Sequence, residues 1–276
     1  MADAAAKRAL WTFAEPIHAL TYFAPEAHAA FAAAGLRGFW RGYFAGRAAP
    51  LGAVGAGVVT ATFYGFHPSF VARAVPEVWD LAPPSAVLDA RLAGIDGAIR
   101  RIAPAVDVTD ALAVLQRAVD GVAVAGRPLF AANADLAWPD DPWLALWHAC
   151  TLVREHRGDG HVIALADAAI DGCRAHVLRV AVSGIDATDI QPHRGWSDDD
   201  WRAAIDELRS RDWLDGSGGL TDAGRSAHAA VEDATDRLAL GVDDEGLAAV
   251  RAAAAPIIGS GTIPYPNAMG VPLPGQ

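Results

Sequence analysis

The chain has 276 residues, enough for one large domain or two of ordinary size, and 53% hydrophobic with 20% charged residues excludes wholesale disorder. There are 33 Asp/Glu against 22 Lys/Arg, a net charge of −11, which disfavours nonspecific contact with nucleic acid or anionic lipid. The longest apolar stretch, residues 48–66, is broken by Pro50 and by glycines, the first residues hold no continuous apolar segment, and Cys150 and Cys173 suit burial rather than a disulfide framework. A soluble, cytoplasmic protein is expected.

Abundant Ala favours helix, because Ala loses no side-chain entropy there. In chain order the apolar periodicity predicts helices over 3–23, 25–34, 37–47, 52–64, 68–79, 85–103 and 108–124. Pro16, Pro25, Pro50, Pro68, Pro83 and Pro84 punctuate the pattern, most of them at joints, where proline is tolerated. Residues 126–142 hold Pro128, Asn133, Pro139 and paired aspartates and read as a linker. Helices are then expected over 142–157, 159–170 and 172–182, with a break near Gly158. Ser197 can cap a helix with Trp201, Ile205 and Leu208 at helical spacing; a Gly-rich turn follows, and Leu220-Thr221 opens another helix ending near Leu240. Helix, wing, helix is the order of the second half of a winged helix. A shorter helix over 244–254 leads to a tail without helical period, whose apolar content suggests docking across the body, over a pocket mouth.

The expected architecture is mainly α: an N-terminal helical module (1–125), a linker (126–142), a winged-helix-like module (143–258) and a Pro/Gly-rich tail (259–276). A faint repeat at an offset of 114 lays Gly46-Arg47 over Gly160-His161 and Leu51 over Leu165. Two related winged-helix-like modules with small β wings would account for the length and spacing.

Several residues could carry chemistry. The stretch 38–47 crowds Phe39, Trp40, Arg41, Tyr43, Phe44 and Arg47 into one helix, with Trp40, Phe44 and Arg47 on a common face. Guanidinium groups beside aromatic rings suit an anionic or aromatic small molecule, although a core stripe with snorkelling arginines has the same pattern. Tyr64 and His67 sit at a helix junction before Pro68, and His18 and Tyr22 lie four apart on the first helix. Following the stripe Trp143, Trp147 and Cys150, residues 154–161 supply Arg154, Glu155, His156, Arg157, Asp159 and His161, the ingredients of an acid/base or anion site, or of a solvated helix end. No two-histidine i, i+4 pair, phosphate-binding loop or C-x-x-C occurs, so no metal is expected and no cofactor is indicated.

The segments GFWRGYFAGRAAPLG (38–52), TATFYGFHP (60–68), REHRGDGHVIAL (154–165), the winged segment and IPYPNAMGVP (263–272) resemble uncharacterised actinobacterial helix-turn-helix or winged-helix-like proteins. The C-terminal module is similar to multiple-antibiotic-resistance regulators in its Leu220, Thr221 and Gly224. That resemblance implies a two-module winged-helix-like fold and supplies no established reaction. The winged segment departs from a DNA reader in charge, with eleven acids against five bases over 196–240.

Three readings stand beside one another. The first is a small-molecule binder with a pocket between its modules, ligated by Trp40, Arg41, Tyr43, Phe44, Arg47, Tyr64, His67, Trp147 and Arg154. The second is a ligand-responsive transcriptional regulator acting as a homodimer, with DNA disfavoured by the acidic charge. The third is an enzyme using His156 or His161 as an acid/base in the same pocket.

Overall fold

The structure, a computed structural model, describes residues 3–273; residues 274–276 of the expected tail lie outside the described residues. The helices are α1 (Ala4–Phe23), α2 (Pro25–Ala33), α3 (Phe39–Ala48), α4 (Ala56–Phe63), α5 (Pro68–Val71), α6 (Val78–Leu81) and α7 (Pro84–Ile102). They continue as α8 (Thr109–Val119), α9 (Pro128–Ala134), α10 (Pro142–Asp167), α11 (Gly172–Ser183), α12 (Asp198–Ser210), α13 (Asp222–Leu238) and α14 (Asp244–Gly259). Five of them open on proline, whose fixed φ suits the first turn and whose missing N–H is unneeded there. Side-chain caps start the rest of the C-terminal half: Asp171 on α11, a reciprocal Ser197–Asp200 capping box on α12, Thr221 on α13 and Asp243 on α14.

Among the described residues there is no β-strand, and the expected wing is reduced to one antiparallel bridge between Leu214 and Leu220. The cause is local. The Asp215 carboxylate accepts the Ser217 and Gly219 N–H groups and the Ser217 hydroxyl, folding the turn on itself so that only one pair of residues is left to form a ladder.

Two apolar clusters form the interior. The larger draws on α1 to α9, the first half of α10, Val250, Ala253, Ala254 and Ile257 of α14, and Ile263 and Val271 of the tail. The smaller contains Ala164, Leu165, Cys173, Val177, Trp201, Leu208 and Val231. α10 runs through both.

Three sequence-based expectations change. Residues 126–142 are no free linker, because α9 buries Leu129 and Phe130 in the larger core. α10 is one 26-residue helix with no break at Gly158, since a single glycine weakens a helix by only about 1 kcal/mol and both ends here are packed. The helix expected over 68–79 is split into α5 and α6, where Pro76 interrupts the backbone ladder. No single helix among the described residues is long and apolar enough to cross a membrane.

Candidate functional site

A buried ion network at the crossing of α1, α3 and α10 sets the geometry of the interior. Glu155 is 1% exposed and accepts a bidentate pair from Arg47, Nε to Oε1 and Nη2 to Oε2 both at 3.1 Å, and a third bond from Arg154 at 2.6 Å. Burial alone would raise the Glu155 carboxyl, but Arg154 and Arg47 outweigh it and hold it well below the usual carboxylate range. Glu15 lies 3.6 Å from Arg154 on the other side. Further along α10, Arg157 pairs with Asp236 of α13 at 2.8 Å, and Arg8 of α1 reaches the same carboxylate at 2.7 Å.

Where this network meets the smaller core it opens into a cleft. One cavity of 290 Å³ is bounded by Arg47, Phe63 and Tyr64 from the first half and by His161, His176 and Arg179 from the second. A second of 310 Å³ shares Arg154, Gly158, His161, Arg179 and Glu232 with it and reaches Met269 and Gly270 of the tail. The tail is fastened by two arginines that have no carboxylate partner among the described residues. Arg179 donates to the Asn267 and Ala268 carbonyls at 3.0 and 3.1 Å, and Arg194 donates to Ala268 at 2.6 Å. Burial lowers both guanidiniums, Arg194 to about 10.

The walls are built with little slack. Tyr64 has φ 56°, a strained value for a residue with a side chain, and its hydroxyl donates to the Ile170 carbonyl at 2.7 Å. Gly172 backs onto it: a Cβ there would collide with the Tyr64 carbonyl oxygen. His176 donates from Nε2 to the Gly65 carbonyl at 3.0 Å, and burial, with Arg194 and Arg179 adding to it, pushes this imidazole down to about 3. The Arg47 guanidinium lies 4.3 Å above the Phe63 ring, a cation–π contact at the cavity edge.

Of the residues singled out from sequence, Arg47, Tyr64, Arg154 and His161 come together at this cleft. The others stand elsewhere. Phe44 and Trp147 are fully buried core, Trp147 donating its indole N–H to the His18 carbonyl. Trp40 packs edge-on against Phe66 and Phe70, and Tyr43 sits among Tyr22, Phe44 and Phe66 with its oxygen 3.5 Å from Arg47. Arg41 is 43% exposed and faces Glu77. His67 caps α5 and lies edge-on to Trp196. His156 is buried against Phe130, and burial, with Arg127 nearby, lowers it to about 4. It does not meet His161, because five residues along a helix turn the side chain by about 140°.

Sequence reasoning missed His176, Arg179, His228 and Glu232. His176 and Arg179 are three apart on α11 and His228 and Glu232 four apart on α13, but only the tertiary fold brings α11 and α13 to this face of α10. Among the described residues no group of His, Cys, Asp or Glu is arranged to hold a metal ion.

The described residues are mainly helical, with the capped helices α12 and α13 joined through a tight turn at 211–221. The chain belongs to a helix-turn-helix family, whose family model matches residues 7–260. No curated protein and no solved structure matches it significantly.

Proposed function

We propose that this helix-turn-helix protein binds a small aromatic or anionic molecule in the cleft between two related modules. The observation that carries the reading is the convergence of Arg47 and Tyr64 with Arg154, His161 and Arg179 on one cavity of 290 Å³, close to the size usual for small-molecule sites. Guanidinium groups supply charge-assisted donors, and Phe63 and Tyr64 supply flat apolar walls. Met269 and Gly270 of the tail, which line the adjoining cavity, support a pocket shielded from bulk water.

Element order supports the duplication. α7 and α12 begin at residues 84 and 198, α8 and α13 at 109 and 222, close to the 114-residue offset of the sequence repeat. On that register Arg47 and His161 are equivalent positions, and both line the cleft.

The family supports a second reading, a ligand-responsive regulator that contacts DNA as a homodimer. Charge weighs against it. On the exposed face of α12 the arginines are engaged by neighbouring aspartates, Arg202 with Asp199 and Arg209 with Asp206. The enzyme reading now rests on His161 alone, since His156 lies outside the cleft.

The mass and absorbance spectrum of whatever copurifies with the protein, followed by calorimetric titration into stripped protein, tests the first reading. A stoichiometric small molecule is expected. Tight, salt-sensitive binding of genomic DNA fragments by stripped protein, with no small molecule retained, would favour the second reading instead.

A further inference from the structure

Two histidines in this molecule are wired identically, and one of the two circuits is open. At the core, Thr151 donates its only hydroxyl hydrogen to the Trp147 carbonyl at 3.0 Å, so its oxygen accepts from His18 Nδ1 at 2.9 Å. That fixes the Nδ1–H tautomer and leaves Nε2 as a bare acceptor, which takes the Tyr22 phenol hydrogen at 2.9 Å. On α10 the same parts recur. Thr235 is 0% exposed and donates to the Val231 carbonyl at 2.8 Å, so its oxygen accepts from His161 Nδ1 at 2.9 Å. His161 Nε2 is thereby a bare acceptor too. It has no hydrogen-bond partner among the described residues, and its ring lines the cleft.

We propose that a phenolic hydroxyl of the ligand donates to His161 Nε2, completing in the cleft the circuit that Tyr22 completes at His18. The inference rests on the cleft being the ligand site and narrows its occupant to an aryl alcohol carrying an acidic group. The ring lies along Phe63 and Tyr64, and the acid is taken by the guanidinium groups that border the cavity, Arg47, Arg154 or Arg179. Thr235 is a positioning residue: it touches no ligand and acts by keeping the proton on Nδ1. Burial favours the neutral imidazole that such an acceptor requires, against the opposing pull of Glu232, while Arg157 of α10 and His228 of α13 reinforce it.

Nitrogen-15 NMR of histidine-labelled full-length protein reads the tautomer directly, and calorimetry with 4-hydroxyphenylacetate and phenylacetate reads the contact. Wild type is expected to hold His161 as the Nδ1–H tautomer and to bind the hydroxylated acid about tenfold more tightly, the worth of one hydrogen bond to this half-buried acceptor. His161→Phe should abolish that preference, read as the ratio of the two affinities in the same variant. Thr235→Val keeps the ring, and it should release the tautomer toward Nε2–H and shrink the preference. An Nε2–H tautomer in wild type overturns the inference, as does a preference that survives His161→Phe. Equal binding of the two acids overturns it while leaving the cleft reading intact; failure of 4-hydroxyphenylacetate to bind also overturns it, and the copurification test decides the cleft reading separately.

Discussion

Arg47 and Glu155, 108 residues apart in the chain, meet in a bidentate ion pair whose side chains are 9% and 1% exposed. A pair this deep matters less for its net attraction than for what is left when one member goes, a buried carboxylate that has lost its bidentate partner and keeps only Arg154. Arg47→Ala should therefore cost about 3–5 kcal/mol of folding stability. Arg47→Lys should fall between the two, since an ammonium cannot grip both carboxylate oxygens. Arg41→Ala, six residues away but exposed, should stay within about 0.5 kcal/mol of wild type. Denaturant unfolding of the three variants checks the order, and equal effects at positions 41 and 47 would contradict it.

Acid should loosen the fold in the range where free histidines take up protons. His176 is held down to about 3, His156 and His148 to about 4, and His18 well below 6.5, in each case chiefly by burial. A histidine depressed in the folded state takes its proton first in the unfolded chain, so its contribution is present above 6.5 and is lost as pH falls toward the folded value. Asp159 works the other way: burial raises it to about 6, so its contribution is present at low pH and lost as pH rises through 6. With His161 also lowered by burial, five histidines against one aspartate give a net fall, and the melting temperature should drop by about 5 °C or more between pH 7 and pH 5. A flat profile over that range would show that these rings are solvated.

The two halves should not fold separately. α14 and the tail belong to the core built by α1–α9, and α10 belongs to both cores, so a cut between 125 and 143 exposes apolar surface on each fragment. Expressed alone, residues 1–125 should be insoluble or lack a cooperative melt, and mixing with 143–276 should restore one. Two soluble fragments, each melting as the intact chain does, would refute this.

Gly172→Ala tests the cleft wall. The added methyl meets the Tyr64 carbonyl, a backbone atom that cannot rotate aside, and should cost about 1–3 kcal/mol. Gly121→Ala is a useful contrast: nothing lies within reach of its Cβ, and strain at φ +64° is the only expected penalty. Thermal melts of both variants, with ligand affinity measured on each, should show a loss of affinity only at Gly172.

Much of the fold was legible because its punctuation is local. Pro25, Pro68, Pro84 and Pro142 mark helix starts wherever they fall, and Ser197 with Asp200 announces α12. The stripe Trp40 and Phe44 was equally legible as apolar but not as to its destination: a ligand wall and a core face share one spacing, and here Phe44 went to the core. Arg47 and His161 were found through composition and a weak repeat, yet the acceptor role of His161 depends on Thr235, 74 residues on, which no local pattern ties to it. Docking of α14 against α1 is likewise nonlocal, and Gly158 looked like a break only because its packed neighbours were unknown.

The unbroken course of α10 constrains how any message could leave the cleft. A helix of 26 residues anchored in two interiors acts as an axle, and swinging one module about it as a hinge would require tearing backbone hydrogen bonds in its middle. A ligand in the proposed cleft would have to act by rolling α11 and α13 around a fixed shaft, a shear of side chains rather than a jaw that opens and shuts.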